Sequence, residues 1–413
     1  MSLGNEIRKV FSGGGAYVSV LMEKVRARGE KRACPVILDD IFPYLYSAFR
    51  IAEFNALLLH FPGAQVHSSA WPFVGLGEKR RFEEVLDEYE RHYPELRRRV
   101  IRFHRGRDIS GSFAYMVFLE NAHRFMRTLK KYRVPFAVTL YPGGGFRLEQ
   151  EESDRKLREV FSSSLLTKVI VTQKVTREYL LDRGYIDPSR IEFIYGGVFP
   201  SDGLASGTLE KRRYPEDKKT FDMCFVAFKY MKMGLDKGYD VFVAVARELG
   251  RACPDIRFHV VGPFDATDID VSALEGRFRF YGSRNTDFFR RFYREMDVIL
   301  SPNVPYVLFP GAFDGFPTGA CIEAGMSGVA VFCTDPLRQN IHFRNGEDIV
   351  IVSGDPKEIA SRIREFRDDP EALYRLSARG QESFRTVFDI RAQMEPRIRI
   401  LSKCMLRCGV SAA

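Results

Sequence analysis

From Pro35 onward, short apolar runs alternate with longer segments of helical period, and this alternation carries most of the fold information. Val36-Ile37-Leu38 reads as a strand, stopped by Asp39-Asp40. Residues 46–59 follow as a helix, with Phe49, Ala52, Ala56 and Leu59 on one side. Pro62-Gly63 marks a turn, 83–99 a charged helix and 100–103 a strand. The pattern then predicts one long helix over 113–132, a strand over 136–140 and the loop Tyr141-Pro142-Gly143-Gly144-Gly145. A helix at 152–161, a strand at 168–172, a helix at 175–183 and a strand at 191–195 complete this half. A second series opens with a strand at 221–228 and a Gly-containing loop at 229–238 that carries Lys229, Lys232 and Lys237. It runs on through a helix at 239–249, strands at 256–261 and 278–281, a helix at 286–296 and a strand at 298–300. A late strand at 349–352, helices at 356–366 and 370–387, and a basic amphipathic helix near 391–407 close the chain.

Strand and helix alternate in both halves, so the expected class is α/β, with two Rossmann-like parallel-sheet domains facing across a cleft. Ligands in such folds bind beyond the carboxyl ends of the strands. At 413 residues the chain is too long for one ordinary core. The polar segment 201–220 is the expected linker. It separates a first domain, 1–200, from a second, 221–388. Residues 1–33 are a loosely defined leader with at most a short helix over 17–28, and 389–413 form a terminal helix expected to pack back on the first domain. No apolar run reaches the ~20 residues needed to span a bilayer, and the start lacks a signal-peptide pattern. The seven cysteines are odd in number and scattered, which suggests buried thiols in a reducing compartment. Cys404 and Cys408 lack histidine neighbours, so no zinc site is expected there. The net charge of +9, with arginines bunched at 97–99, 102, 105 and 107, favours an anionic partner such as phosphate or a lipid headgroup.

The chemistry concentrates in FDGFPTGACIEAGMSGVAVFCTD, residues 313–335. Pro317 fixes its own φ and biases Phe316 away from α, so a helix can start only after it. Thr318 and Gly319 suit the N-cap of a short helix, Ala320 to Ser327; Gly328 ends it, and 329–333 form a buried strand. The helix start offers unpaired amides and a positive dipole end to phosphate. Glu323 lies about one turn on, where a carboxylate can accept two hydrogen bonds from a vicinal diol. Phosphate at the tip and a diol one turn on is the geometry of a nucleoside diphosphate. Polar residues also follow the other strands of this half: Lys229 and Lys237-Gly238, then Gly262, where a backbone can approach a ligand closely, then Ser301-Pro302-Asn303. The pair Asp268-x-Asp270 follows no apolar strand directly and reads as a solvated loop, so no metal site is expected.

These residues resemble the retaining GT-B glycosyltransferases of the "group 1" or family 4 type, well over 168–390 and loosely over 35–160. Lys237-Gly238 is similar to the family's Lys-Gly, Glu323-Ala324 with Gly328 to its Glu-Ala-x-x-x-Gly, and Tyr195-Gly196-Gly197-Val198 to its Asn-Gly-Val. The resemblance implies that Lys237 holds the donor diphosphate, that Glu323 holds the ribose, and that the amides of the Phe316-Pro317-Thr318-Gly319 loop hold the donor sugar. Lys229 stands near the family's Gly-Arg, although Lys and Arg differ at a bidentate phosphate site. Asp314 stands one position off the family's first glutamate. The first-domain histidine is absent: Leu140 is followed by Tyr141, whose hydroxyl, with the backbone of Gly143 and Gly144, is the acceptor-side candidate. The implied reaction is retaining transfer of a sugar from a UDP- or GDP-sugar to a glycan or lipid-linked acceptor, in polysaccharide synthesis. It needs no metal and no cofactor beyond the donor itself. The implied location is cytoplasmic, peripheral on the inner face of the membrane. Two alternatives stay open: a sugar-nucleotide epimerase, and a basic membrane- or nucleic-acid-binding protein on a degenerate scaffold.

Overall fold

A computed structural model describes residues 34–409 of the chain, apart from 46, 71–79, 105–107, 201–210 and 275. The helix expected over 17–28, Arg105, Arg107 and the first half of the expected linker lie outside the described residues. Two compact units form, one from 1–200 with 390–413 and one from 201–389.

The first unit is built on strands β1 (Pro35–Asp39), β2 (Gln65–Ser68), β3 (Val100–Arg102), β4 (Phe113–Val117), β5 (Phe136–Leu140), β6 (Leu166–Val171) and β7 (Ile191–Phe193). They form one sheet in the order β3-β2-β1-β4-β5-β6-β7, with every pairing parallel. Its helices are α1 (Ala48–His60), α2 (Phe82–His92), α3 (Leu119–Tyr132), α4 (Glu151–Phe161) and α5 (Lys174–Asp182). The long helix expected over 113–132 is instead β4 followed by α3. All five residues of β4 are buried, so the run is apolar on both faces, as a central parallel strand must be, and has no period to distinguish it from a helix. The break falls at Phe118, which adopts φ 70°, ψ 149°, a region that costs a bulky residue roughly 1–3 kcal/mol. Packing holds it there: a Cβ on Gly144 would lie 2.4 Å from the Phe118 ring, and the Gly144 carbonyl accepts from the Glu120 amide. Strand β2 was hidden in the polar sequence QVHS. The charged helix expected over 83–99 stops at His92, ahead of a 3-10 turn that starts at Pro94.

The arginine bunch is less of a free surface than the sequence suggests. Arg99 turns inward and donates to the carbonyls of Leu58, Phe61 and Ala64 at the end of α1, and Arg102 pairs with Glu83. The last helix, Ile390–Arg407, belongs to this unit and buries Met394, Leu401, Cys404 and Met405 in its core. Each such side chain contributes about 1.5–3 kcal/mol.

The second unit carries β8 (Phe221–Val226), β9 (Ile256–Val261), β10 (Phe278–Phe280), β11 (Val298–Ser301), β12 (Ala330–Cys333) and β13 (Val350–Ile351). The sheet order is β10-β9-β8-β11-β12-β13, again parallel throughout. Helices α6 (Tyr239–Ala252), α7 (Thr286–Glu295), α8 (Gly319–Met326), α9 (Pro356–Asp368) and α10 (Pro370–Phe388) cover it. The described half of the expected linker is anchored here: Lys218 is buried and its ammonium lies 2.7 Å from Asp222 and 2.6 Å from Asp297. Strand order reverses between β8 and β11, and the loops leaving those two strands carry Lys237 and Asp314. No helix among the described residues is long and apolar enough to cross a membrane.

Candidate functional site

At the carboxyl end of β8, residues Lys232–Lys237 wind into a 3-10 turn that ends at Gly238 in the left-handed region, φ 69°. A Cβ there would sit 2.0 Å from the Pro302 carbonyl oxygen, so glycine lets the β8 and β11 loops touch. This contact fixes Lys237, which is buried except at its tip. Its ammonium lies 2.8 and 2.6 Å from the two carboxylate oxygens of Asp314. A longer approach of 3.6 Å joins it to Asp236, and it stands 5.0 Å above the Tyr230 ring. Burial alone would lower the Lys237 pKa, but the Asp314 charge and hydrogen bond outweigh it and the net shift is upward. Asp314 also accepts from Asn303, so Lys237, Asp314 and Asn303 form one network.

The helix tip is built as the residue types require. The Phe316–Pro317 peptide bond is cis, Thr318 is the N-cap, and its side chain accepts from the Cys321 amide at 3.5 Å. The Gly319 and Ala320 amides have no hydrogen-bond partner among the described residues. The Thr318 hydroxyl lies 3.2 Å from that of Ser301 at the end of β11. Ser301, Asn303, Asp314, Phe316, Thr318 and Thr334 border a cavity of about 40 Å³, space for a water or a single small group.

Glu323 is 8% exposed, and its carboxylate makes no hydrogen bond or ion pair among the described residues. Burial alone pushes its pKa up to about 7. Its charge is felt by Tyr293 beneath it, whose phenol is raised first by burial and then by Glu323. A nearly buried carboxylate without a partner is costly in a folded protein, and carboxyl groups so placed cluster at functional sites.

The other expected residues are placed differently. Lys229 is locked to Asp268, 2.8 Å from each carboxylate oxygen. The structure therefore brings Lys237 and Asp314 together and pairs Lys229 elsewhere. Gly262 has φ 132°, and a Cβ there would lie 1.9 Å from the Ala227 carbonyl oxygen; what approaches its bare backbone is the neighbouring chain. In the first unit, the Tyr141 hydroxyl is buried and donates to Glu53 at 2.8 Å, with Arg397 donating to it in turn. Gly144 packs on Phe118, and Gly143 opens onto empty space. Tyr141 and Gly144 thus serve the interior. Asn303 joins the second unit's site from the Ser301-Pro302-Asn303 strand end, and Asp236, Thr334 and Tyr230 join it without having been singled out in the sequence. For Tyr230 the only signal was its position between Lys229 and Lys232.

A lysine and open helix-tip amides at the switch point of a parallel sheet stand where α/β proteins of this topology take their ligands. Residues 225–369, which hold Lys237, Asp314, Thr318 and Glu323, match the family described as glycosyl transferases group 1. The family match covers the greater part of the second unit, and the two parallel-sheet units together have the GT-B fold. Comparison with curated protein sequences finds no match. Among solved structures, the Anabaena protein Alr3699/HepE, crystallised with UDP-glucose, is 14% identical with a TM-score of 0.62, covering 91% of this chain and 99% of its own. Sucrose-phosphate synthase from Thermosynechococcus elongatus is 17% identical with a TM-score of 0.56, covering 89% and 99%. A glycosyltransferase from Rickettsia africae is 15% identical with a TM-score of 0.58, covering 90% and 99%. At these identities the solved structures establish the fold.

Proposed function

We propose that the protein transfers a sugar from a nucleotide-diphosphate-sugar, UDP- or GDP-linked, to a hydroxyl of a glycan or lipid-linked acceptor, with retention at the anomeric carbon. The observation that carries this reading is the unpartnered Glu323 carboxylate one turn into a helix whose first amides are open. A ribose supplies the two hydroxyl donors that Glu323 lacks, and a diphosphate supplies the acceptors that the Gly319 and Ala320 amides lack and takes the place of Asp314 on Lys237. The UDP and UDP-glucose found in the Anabaena structures support the choice of donor.

In the reaction, the bond between the anomeric carbon and the diphosphate breaks and negative charge grows on the leaving oxygen. Lys237 and the helix tip stand where that charge develops, which is the largest contribution a protein can make to such a step. Asp314 holds Lys237 in place in the free enzyme, and its side chain is 39% exposed, so it can yield to an incoming phosphate. The acceptor hydroxyl's proton passes to the leaving diphosphate oxygen, so no protein nucleophile is needed. Lys229 has its charge met by Asp268 and takes no direct part in this step. The lysine and the helix dipole neutralise the diphosphate without calling for a metal.

Lys237→Ala should lower the rate of UDP release from UDP-glucose by roughly 10²–10³-fold, read in a coupled assay of the purified chain. Lys237→Arg should recover only part, because the bulkier planar guanidinium does not fit the nearly buried position of the compact ammonium. Full activity in the alanine variant would contradict the assignment.

A further inference from the structure

We propose that Cys321 and Cys333, beneath the tip of α8, are a modification site: a dithiol that hydrogen peroxide closes to a disulfide, loosening the tip's hold on the donor. The effect on the donor rests on the reading above; the closure itself does not.

Topology brings the two sulfurs together. Cys333 ends β12, and its Cα partner across the ladder is Ser301 at the end of β11. Helix α8 packs against both strands, and Cys321 is its third residue. The two thiols, both free, are hydrogen-bonded to each other, and the Thr318 and Ser301 hydroxyls lie against the Cys321 sulfur. The transfer reaction described above uses neither sulfur.

Their surroundings set the two apart. Cys321 accepts from Cys333 at the positive end of a helix, and hydrogen bonding holds its thiol below the ordinary value in spite of burial. Cys333 is the donor, so its thiol is pushed up, first by that bond and then by burial. The pair is thus a thiol held against a sulfur that favours the thiolate. Cys224 and Cys253, the other cysteines described in this unit, are buried, and burial raises the thiols of both.

Reach comes through Cys333. It borders the same cavity of about 40 Å³ as Ser301 and Thr318, the other two neighbours of the Cys321 sulfur. Val304 and Asp314 also line that cavity and are exposed, so it communicates with solvent. The space suits a molecule little larger than water. Hydrogen peroxide meets that size, and a disulfide such as oxidised glutathione does not.

The chemistry balances on these two residues. The Cys333 sulfur attacks one peroxide oxygen, the O–O bond breaks, and the Cys333 proton passes to the Cys321 thiolate. Hydroxide leaves, and Cys333 is a sulfenic acid. The Cys321 sulfur then attacks the Cys333 sulfur, the S–O bond breaks, and the hydroxyl departs as water with the Cys321 proton. Two electrons have passed from the sulfurs to the peroxide. The new bond draws Cys321 away from Thr318 and Ser301. Thr318 caps α8 through the Cys321 amide, so the turn that presents the Gly319 and Ala320 amides shifts with it.

The test uses the full chain, reduced with a phosphine that is then removed, and hydrogen peroxide as the probe. Trypsin leaves both cysteines on one peptide, residues 295–338, so alkylation after unfolding reads the pair in a single mass. Wild-type protein should yield that peptide unalkylated and lighter by two hydrogens, while Cys224 and Cys253 are still alkylated. Cys333→Ser, with Cys333→Ala as a second variant, should leave Cys321 open to alkylation. The UDP-induced rise in Tm is measured on the same samples. It should fall on oxidation of the wild type, return on reduction, and be unchanged by peroxide in the variants, where it also shows that they are folded. A pair still alkylated after peroxide, or a closed pair with an unchanged UDP shift, overturns the proposal. A closed pair with no UDP shift in either redox state would instead defeat the donor reading and leave the dithiol standing.

Discussion

Replacing Glu323 with alanine is expected to remove most of the rise in Tm that a UDP- or GDP-sugar gives the wild-type protein. At a ligand concentration of 100 times Kd, the wild type should gain about 2.7 kcal/mol. Two hydrogen bonds to a charged acceptor are worth roughly 1.5–3 kcal/mol each in favourable settings, so the variant's Kd should rise by about 10²- to 10⁴-fold. The apo variant should be no less stable than the wild type near neutral pH, since the change removes a buried group with no partner. The pH dependence gives the same claim a second face. The folded-state pKa of Glu323 is raised to about 7, above that of an exposed glutamate, so the folded protein holds the proton more tightly than the unfolded chain. Its contribution to apo stability is therefore full below the unfolded value, about 4.3, and is lost as pH rises through about 7. Donor binding should move the other way. The ionised carboxylate is the better diol acceptor, so the ligand-induced shift should grow between about pH 6 and 8. Glu323→Gln should flatten both trends, and calorimetry across that range checks them.

Replacing Arg397 with methionine should destabilise the first unit by about 3–5 kcal/mol, a fall of roughly 10 °C in its unfolding transition. Arg397 is fully buried and comes from the last helix. It donates to the Gln393 carbonyl and side chain at 2.7 and 2.8 Å and lies 3.8 Å from Glu53, which is also fully buried. Glu53 accepts from the hydroxyls of Tyr115 and Tyr141. Without the guanidinium, that carboxylate is a buried charge with only two phenols to answer it. Adding Glu53→Gln should recover a good part of the loss, because the uncompensated charge then disappears. An Arg397→Met protein that unfolds like the wild type would show that the terminal helix is held by its apolar face alone.

The sequence revealed the layout of this protein better than its interior. Strand–helix alternation was legible because the helices are amphipathic, and the unit from Phe316 to Cys333 was legible because proline, a threonine cap and a glycine stop are local signals. Strand β4 was not, because a run buried on both faces carries no period. The inward turn of Arg99 was equally hidden, since nothing local distinguishes an arginine that caps helix carbonyls from one that faces water. Lys229 and Lys237 look alike in the chain; only the tertiary fold assigns one to Asp268 and the other to Asp314. Asp39 and Asp40 read as the end of a strand, and the strand order that makes that end a reversal point is a property of the whole sheet. Tyr141 attracted attention as the replacement for an expected histidine, and the structure spends its hydroxyl on Glu53.

The proposed function depends above all on the second unit holding the donor through Glu323, Lys237 and the tip at Thr318–Gly319. A crystal structure of the chain soaked with UDP-glucose tests it most directly. Both ribose hydroxyls should lie within about 3 Å of the Glu323 carboxylate, with the diphosphate on Lys237 and the Gly319 and Ala320 amides. A nucleotide bound elsewhere, or a ribose that leaves Glu323 without a partner, would contradict it.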